Sequence, residues 1–365
     1  MVTFIPGLRL SELFYREAVG PVLARAFPGM RYAAARLGSG SEVLGFDTER
    51  SMDHHWGPQL VIFLGEDDLP RYGEAMRETL RHELPRQFHG YPTSFGPADE
   101  IGVRLPQVTS SGPVEHMVSV DTVGRLVEDR LGISAYTKVG VIDWLVCSEQ
   151  GLLEVTAGAV FHDEIGEVAA MRRTFASYPR DVWLYLLAAQ WKRIAQQEAF
   201  VGRCGEVGDE IGSALVAAAL VRDLMRLWFL MERRYAPYAK WLGSAFGRLD
   251  GAAGLLPSLA GTLAARSWPE REAHLAGAYE TVAVRHNRLE ITEPLSTAVR
   301  PFYGRPFLVI DGERFSRAIR AQLTDPEVLR LPPDVGSVDQ FVDATDVLAQ
   351  GERRARLRAV YDKTG

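Results

Sequence analysis

An α/β part followed by a mostly helical part is the fold class this sequence predicts, and three observations carry it. Over residues 1–135, short apolar runs of strand length alternate with helix-spaced segments. Beyond about residue 140 the texture changes to long amphipathic stretches. The chain has 365 residues, 47% hydrophobic and 24% charged, which suits two globular domains. The expected division is an α/β domain over 1–135, a mixed sheet flanked by helices, and a mostly helical domain over 136–365.

The elements follow in order. Leu10, Leu13, Phe14, Val19, Val22, Leu23 and Phe27 recur at helical spacing, with Ser11 a candidate N-cap. Residues 31–37 read as a strand that runs into Gly38-Ser39-Gly40-Ser41. The run 56–64, WGPQLVIFL, has strand length and polar flanks, and 69–84 returns to helical spacing. Residues 116–120 alternate as a third strand, and 123–131 resume a helix. The Pro/Gly-rich stretch 88–112 is expected as a long ordered loop, a kind that is often functional. In the second part, 181–200, 208–233 and 270–289 predict helices around Trp183, Trp191, Leu224, Trp228 and Leu230. Residues 307–311 are expected as a strand, and a final helix starts after Ser337.

Composition excludes several classes of function. Forty-one basic against 47 acidic side chains give a net charge of -6, which argues against a nucleic-acid partner. The two cysteines, Cys147 and Cys204, lie far apart with no CxxC spacing, so a disulfide scaffold and a cysteine zinc site are excluded. The N-terminus carries no basic segment followed by an apolar core, and no run approaches the roughly 18 apolar residues of a membrane span. The richest stretch, 211–231, is interrupted by Arg222, Asp223 and Arg226. The expectation is a cytoplasmic protein without a membrane partner. Lysine is rare: only Lys138, Lys192, Lys240 and Lys363 occur.

The informative segment is Gly40-Ser41-Glu42-Val43-Leu44-Gly45-Phe46-Asp47, followed by Ser51-Met52-Asp53-His54-His55-Trp56-Gly57-Pro58. Eleven residues separate Ser41 from Asp53, which is expected at the start of the second strand. This arrangement resembles the DNA polymerase beta-like nucleotidyltransferases, with Gly-Ser, a spacer of about that length and then Asp-x-Asp. More closely it resembles the bacterial domain-of-unknown-function family 4037. The segments 152–163 (LLEVTAGAVFHD), 198–210 (EAFVGRCGEVGDE) and 233–243 (RRYAPYAKWLG) match that family too, so the resemblance covers most of the chain. It implies a nucleotidyltransferase-like mixed sheet, a nucleoside triphosphate and Mg²⁺.

The chemistry behind the motif is electrostatic. Glycine lets backbone N–H groups approach phosphates, and serine adds a hydroxyl. Two carboxylates at i and i+2 of a strand share a face, where they hold Mg²⁺ between nucleophile and triphosphate. Gly40, Ser41 and Asp53 match this pattern, with Asp53 as metal ligand and catalytic acid. His55 stands where the second carboxylate belongs, and imidazole is a poor ligand for Mg²⁺. The third acid has no clear match: Ser119 takes a plausible face and Asp121 lies at the strand end. On a strand, Asp53 and His55 would share one side, with His54 opposite. Asp53 is expected to raise His55 above its ordinary value of about 6.5. Glu42 or Asp47 is an alternative partner for that imidazole.

Two further groups of candidates remain. Glu149, Glu154 and Asp163 punctuate an apolar stretch, and the resemblance points Asp163 toward a general-base role; a helix contact at Thr156-Ala157-Gly158 is the plainer reading. Arg233, Tyr235 and Lys240 fall in a cluster of cations and aromatics. They would clamp a nucleotide, with cation on phosphate and ring on base, or would be a helix end with snorkelling cations.

Three functions stay open. One is nucleotidyl transfer from a nucleoside triphosphate to a small-molecule acceptor. The second is a repurposed scaffold with His54 or His55 as base, which catalyses displacement or cyclisation with loss of an anionic leaving group in specialised metabolism, with a partner or carrier protein. The third is nucleotide sensing without turnover.

Overall fold

The computed structural model describes residues 3–100, 102–134 and 136–362, so Lys363 lies outside the described residues. The chain separates into two compact units, Met1–Val139 with Gly151–Ala176, and Gly140–Gln150 with Ser177–Gly365.

The first unit is built on a four-stranded mixed sheet. Its strands are β1 (Ala33–Arg36), β2 (Gln59–Phe63), β7 (Met117–Asp121) and β8 (Ala159–Asp163), in the order β7-β2-β1-β8. Two-residue pairs, β3 (Gln87–Phe88) with β4 (Tyr91–Pro92) and β5 (Ser94–Phe95) with β6 (Pro106–Gln107), order the Pro/Gly-rich stretch. β1 runs antiparallel to β2 and β8, whereas β2 and β7 are parallel. Parallel neighbours need a crossover, which contains α3 (Leu69–Glu83). Helices α1 (Gly7–Phe14) and α2 (Gly20–Ala26) precede the sheet, joined by a π-helical turn over Tyr15–Val19. The single helix expected over 10–27 is therefore widened in the middle, just before Pro21, which has no N–H to donate. One face of the sheet, with Ala34, Leu60, Ile62, Val118 and Val120, packs against Leu10, Phe14, Val19, Leu23, Met76 and Leu80.

Helix α4 (Val123–Leu131) follows β7, with Thr122 capping it through a hydrogen bond from Arg125 N–H. After α5 (Val141–Val146) and α6 (Glu149–Thr156), the chain returns as β8 beside β1. A sheet strand there was not expected, nor was the turn that leads into it. Gly158 has φ +71, and a Cβ on it would sit 2.0 Å from the Arg36 carbonyl oxygen. Thr156 thus ends α6, and Ala157-Gly158 turn tightly against β1 rather than making a helix contact. Helix α7 (Glu167–Thr174) completes the unit.

The second unit is mostly helical: α8 (Arg180–Gln197), α9 (Phe200–Glu206), α10 (Glu210–Met231), α11 (Ala239–Phe246), α12 (Leu256–Ala264), α13 (Trp268–Asn287) and α14 (Gly312–Arg320). The expected core residues Trp183, Trp191, Leu224, Trp228 and Leu230 are all buried. Two of the buried polar groups there are paired across helices: Trp183 Nε1 donates to the Leu230 carbonyl at 2.6 Å and Gln190 Nε2 to the Asp223 carbonyl at 3.0 Å. The strand expected at 307–311 is β10 (Leu308–Val309), paired with β9 (Arg300–Pro301). After α15 (Pro326–Leu329), Ser337 opens the short helix α16 (Val338–Phe341).

Candidate functional site

Antiparallel pairing of β1 and β2 brings the end of one and the start of the other to a single edge, and the Gly/Ser loop leaves from it. Gly38 and Gly40 have φ +88 and +140, conformations that side chains disfavour. The loop is held through its ends and its carbonyls. Gly38 N–H donates to the Glu154 carbonyl at 2.8 Å, and Arg36 donates to the carbonyls of Leu37 at 2.5 Å and Ser39 at 2.7 Å. Phe46 N–H donates to the Ser41 carbonyl at 2.8 Å. Among the described residues, the N–H groups of Ser39, Gly40 and Ser41 and both serine hydroxyls donate to nothing in the protein. Ser39 and Gly40 are exposed and Ser41 is half-buried. Successive unused amides of this kind are what an anion-binding nest requires. The Arg130 guanidinium lies 3.7 Å from where a Gly38 Cβ would be, and it pairs with Glu154 at 3.3 Å.

Under the loop sits a buried polar cluster that the sequence reading missed. Glu42 Oε1 accepts from Arg36 Nε at 3.0 Å, Arg36 Nη2 at 2.5 Å and Gln59 Nε2 at 2.9 Å. All three residues are buried. A Cβ on Gly40 would lie 2.6 Å from Glu42 Oε1 and 2.7 Å from Arg36 Nη2, so the loop rests directly on the ion pair. Asp47 is also occupied: its Oδ2 accepts from Gly7 N–H at 2.6 Å, at the start of α1, and from Trp56 Nε1 at 3.2 Å. Among the described residues, neither acid is hydrogen-bonded to the His55 side chain, although Glu42 lies close enough to act on its charge. The only sequence signal for this cluster was Arg36 at a strand end, six residues before Glu42.

Asp53 and His55 are not on the strand, contrary to expectation. Asp53 ends a 3₁₀ helix over Glu49–Asp53, and β2 begins only at Gln59. The intervening Gly57 and Pro58 delay the strand, so a period-two argument does not apply to residues 53–55. Asp53 Oδ1 meets His54 Nδ1 at 2.7 Å, and both side chains are exposed. His55 adopts φ +47, its N–H donating to the Arg104 carbonyl at 2.9 Å and its carbonyl accepting from Gln59 Nε2 at 3.4 Å. Its pKa is lowered, not raised: burial comes first, then the Arg36 guanidinium, with Arg104 and His54 adding to the effect and Glu42 opposing it. His55 is therefore a neutral imidazole over more of the pH range than a free histidine.

These donors do not fit Mg²⁺. Asp53 supplies one carboxylate already in contact with His54, Glu42 is spent on Arg36, and His55 offers nitrogen to a cation that prefers oxygen. Asp121 does not complete a set, since it pairs with Phe63 at the opposite end of β2. Among the described residues, no group of three His, Cys, Asp or Glu side chains is placed to hold a metal ion.

Asp163 ends β8 and takes a structural role. Its two carboxylate oxygens accept from Gly166 N–H at 2.8 Å and Ala169 N–H at 2.9 Å, which satisfies the first turn of α7. It pairs with Ala33 at the start of β1, at the sheet edge away from the Gly/Ser loop. In the second unit, Arg233 (φ +53) stacks on Trp183 at 4.5 Å and donates to the Tyr178 carbonyl at 2.8 Å. Tyr235 is buried edge-on to Tyr178 at 5.1 Å, so its ring is used inside the core. Lys240 lies over the ring of its neighbour Trp241 at 5.0 Å. The expected clamp of cation and free ring is not assembled.

Residues 144–242 match DUF4037, described as a domain of unknown function. No curated protein matches the chain. Among solved structures, a nucleotidyltransferase-like protein from Exiguobacterium sibiricum is similar over 85% of this chain and 89% of its own, at 11% identity and a TM-score of 0.32. Glu149, Tyr178 and Arg226 of the DUF4037 segment belong to a second buried polar cluster, which Asp339 completes from outside it. Glu149 Oε2 accepts from Arg226 Nη1 at 2.9 Å, and Glu149 N–H donates to Asp339 Oδ2 at 2.9 Å. The Tyr178 hydroxyl, buried nearby, has no hydrogen-bond partner among the described residues. Burial pushes Glu149 up to about 8, with Asp339 adding to the rise and Arg226 opposing it, while burial also raises Asp339. Burial thus favours the protonated forms of Glu149 and Asp339, against the pull of Arg226 on both and of Arg354 on Asp339.

Proposed function

We propose that the first unit is a nucleotidyltransferase-like scaffold whose Gly38–Ser41 edge binds a phosphate- or sulfate-bearing small molecule, with His55 as base. The observation that carries this reading is the run of Ser39, Gly40 and Ser41 amides, unused by the protein and flanked by Arg36 and Arg130. The sequence resemblance over residues 40–58 supports the same class of ligand. The donor set supports displacement over two-metal nucleotidyl transfer, because it lacks the paired carboxylates that such transfer uses. In this step the neutral His55 takes the proton from an acceptor N–H or O–H. The acceptor's electron pair forms the new bond at carbon as the C–O bond to the anionic group breaks. The departing phosphate or sulfate leaves with that bond's electrons, stabilised by the loop amides and Arg130.

Calorimetric titration with pyrophosphate, sulfate and each nucleoside triphosphate, with and without Mg²⁺, tests the reading. Anion binding independent of Mg²⁺ and weakened by Gly40→Ala supports it. No binding of any anion sinks it. The resemblance also keeps nucleotidyl transfer in play, and His55→Asp separates the two. Metal-dependent release of pyrophosphate by the wild type, improved by this substitution, would establish nucleotidyl transfer instead.

A further inference from the structure

The Arg36 guanidinium is spent inside the first unit. Its side chain is buried and makes four hydrogen bonds, two to Glu42 Oε1 and one each to the carbonyls of Leu37 and Ser39. The two carbonyls that it takes alternate along the Gly/Ser loop. Among the described residues no peptide bond is cis, so in each peptide unit the C=O and the N–H that follows it point in opposite directions. The Ser39 carbonyl turned inward onto Arg36 Nη2 at 2.7 Å therefore turns the Gly40 N–H outward. The Leu37 carbonyl acts the same way on the Gly38 N–H, which meets the Glu154 carbonyl at 2.8 Å on its far side. A Cβ on Gly40 would also point inward, 2.7 Å from Arg36 Nη2, and Gly40 is exposed. Its N–H is left facing the open side of the loop.

We propose that Arg36 is the positioning residue of the anion site: by holding the Ser39 carbonyl inward it aims the Gly40 N–H at the bound oxyanion without touching the ligand itself. The inference rests on the reading of the Gly38–Ser41 edge as an anion site. Net charge does not account for the arrangement. Glu42 opposes the charge of Arg36 at contact distance, and Glu154 opposes that of Arg130 at 3.3 Å. Recognition at such a neutral edge falls to oriented backbone dipoles, whose direction is what Arg36 controls. Glu42 and Gln59 complete the device, since Gln59 Nε2 donates to the same Glu42 oxygen at 2.9 Å and so fixes the carboxylate that holds the guanidinium fork.

The test is calorimetric titration of pyrophosphate into the whole chain and its variants, with the Gly40 amide followed by nuclear magnetic resonance in glycine-labelled protein. The wild type should bind, and the Gly40 amide should shift as it does. Arg36→Lys keeps the charge and a donor for Glu42, but its N–H groups leave from one atom and do not span both carbonyls and the carboxylate. It should bind roughly 10-fold or more weakly, the scale of one hydrogen bond to a charged group, with unchanged far-ultraviolet dichroism to show that it folds. Glu42→Gln keeps an oxygen for the guanidinium and removes the opposing charge, so it should bind at least as tightly as the wild type. Equal affinity of the wild type and Arg36→Lys overturns the assignment alone, as does wild-type binding that leaves the Gly40 amide unmoved. The Gly40 measurement needs no variant, so it decides even if Arg36→Lys does not fold. A wild type that binds no pyrophosphate overturns the reading of the site itself, and this assignment with it.

Discussion

Replacing Glu149 by glutamine probes the buried cluster of the second unit. The carboxyl group rises from its ordinary 4.5 to about 8 because burial penalises the ion more than Arg226 stabilises it. Each tenfold change in proton affinity corresponds to about 1.4 kcal/mol, so ionising Glu149 inside the fold costs up to about 5 kcal/mol. A group whose pKa is raised on folding contributes its stability fully below the unfolded value. The contribution is lost as pH climbs from about 4.5 through about 8, because the folded chain retains a proton that the unfolded chain has released. Glutamine keeps the length and an oxygen for Arg226 but has no charge to release, and Asp339 remains to balance the guanidinium. The variant should therefore lose several kcal/mol less stability than the wild type between pH 5 and 9. Urea unfolding followed by tryptophan fluorescence reads the right unit, since Trp56 is the only tryptophan outside it. Parallel pH profiles for the two proteins would refute the reasoning and mean that Glu149 is ionised in the folded state. Glu149→Ala should behave differently, destabilising at all pH values by leaving Arg226 without its closest acceptor.

The remaining predictions concern the first unit. Glu42→Ala leaves the buried Arg36 guanidinium without its carboxylate and should cost about 3–5 kcal/mol in chemical denaturation, whereas Glu42→Gln should cost less. Gly158→Ala forces a Cβ to within 2.0 Å of the Arg36 carbonyl at φ +71, and should lower the melting temperature of the first unit by several degrees or prevent its folding. If His55 is the base, its lowered pKa places the rise of activity below the ordinary histidine value, so the rate should be flat by neutral pH. A pH–rate profile checks this, and His55→Ala should abolish the reaction.

Local spacing along the chain was enough to set the types of most elements. Leu69–Glu83 and Val123–Leu131 are the helices that their apolar spacing describes, and Trp183, Trp191, Leu224, Trp228 and Leu230 are core residues as read. These succeed because helical periodicity is a local property, visible without knowing what the helix packs against. The Gly/Ser loop was legible for the same reason: two glycines after a strand constrain the backbone wherever the strand ends up. The rest depended on contacts between distant parts of the chain. Ala159–Asp163 lacks a clear alternation and becomes a strand because β1 offers it a pairing edge more than a hundred residues earlier in the chain. Glu149 finds Asp339 across 190 residues of sequence, a partnership no spacing encodes. Residues 53–55 read as strand in a motif but fold as the end of a 3₁₀ helix, an extended His54 and a left-handed His55, whose backbone answers to Arg104 and Gln59. The charge of His55 follows from the same arrangement. Sequence places an acid two residues away and argues for a raised pKa, but the Asp53 carboxylate meets His54 instead, and burial with the Arg36 guanidinium lowers His55, because electrostatic effects depend on distance and solvent rather than on order along the chain.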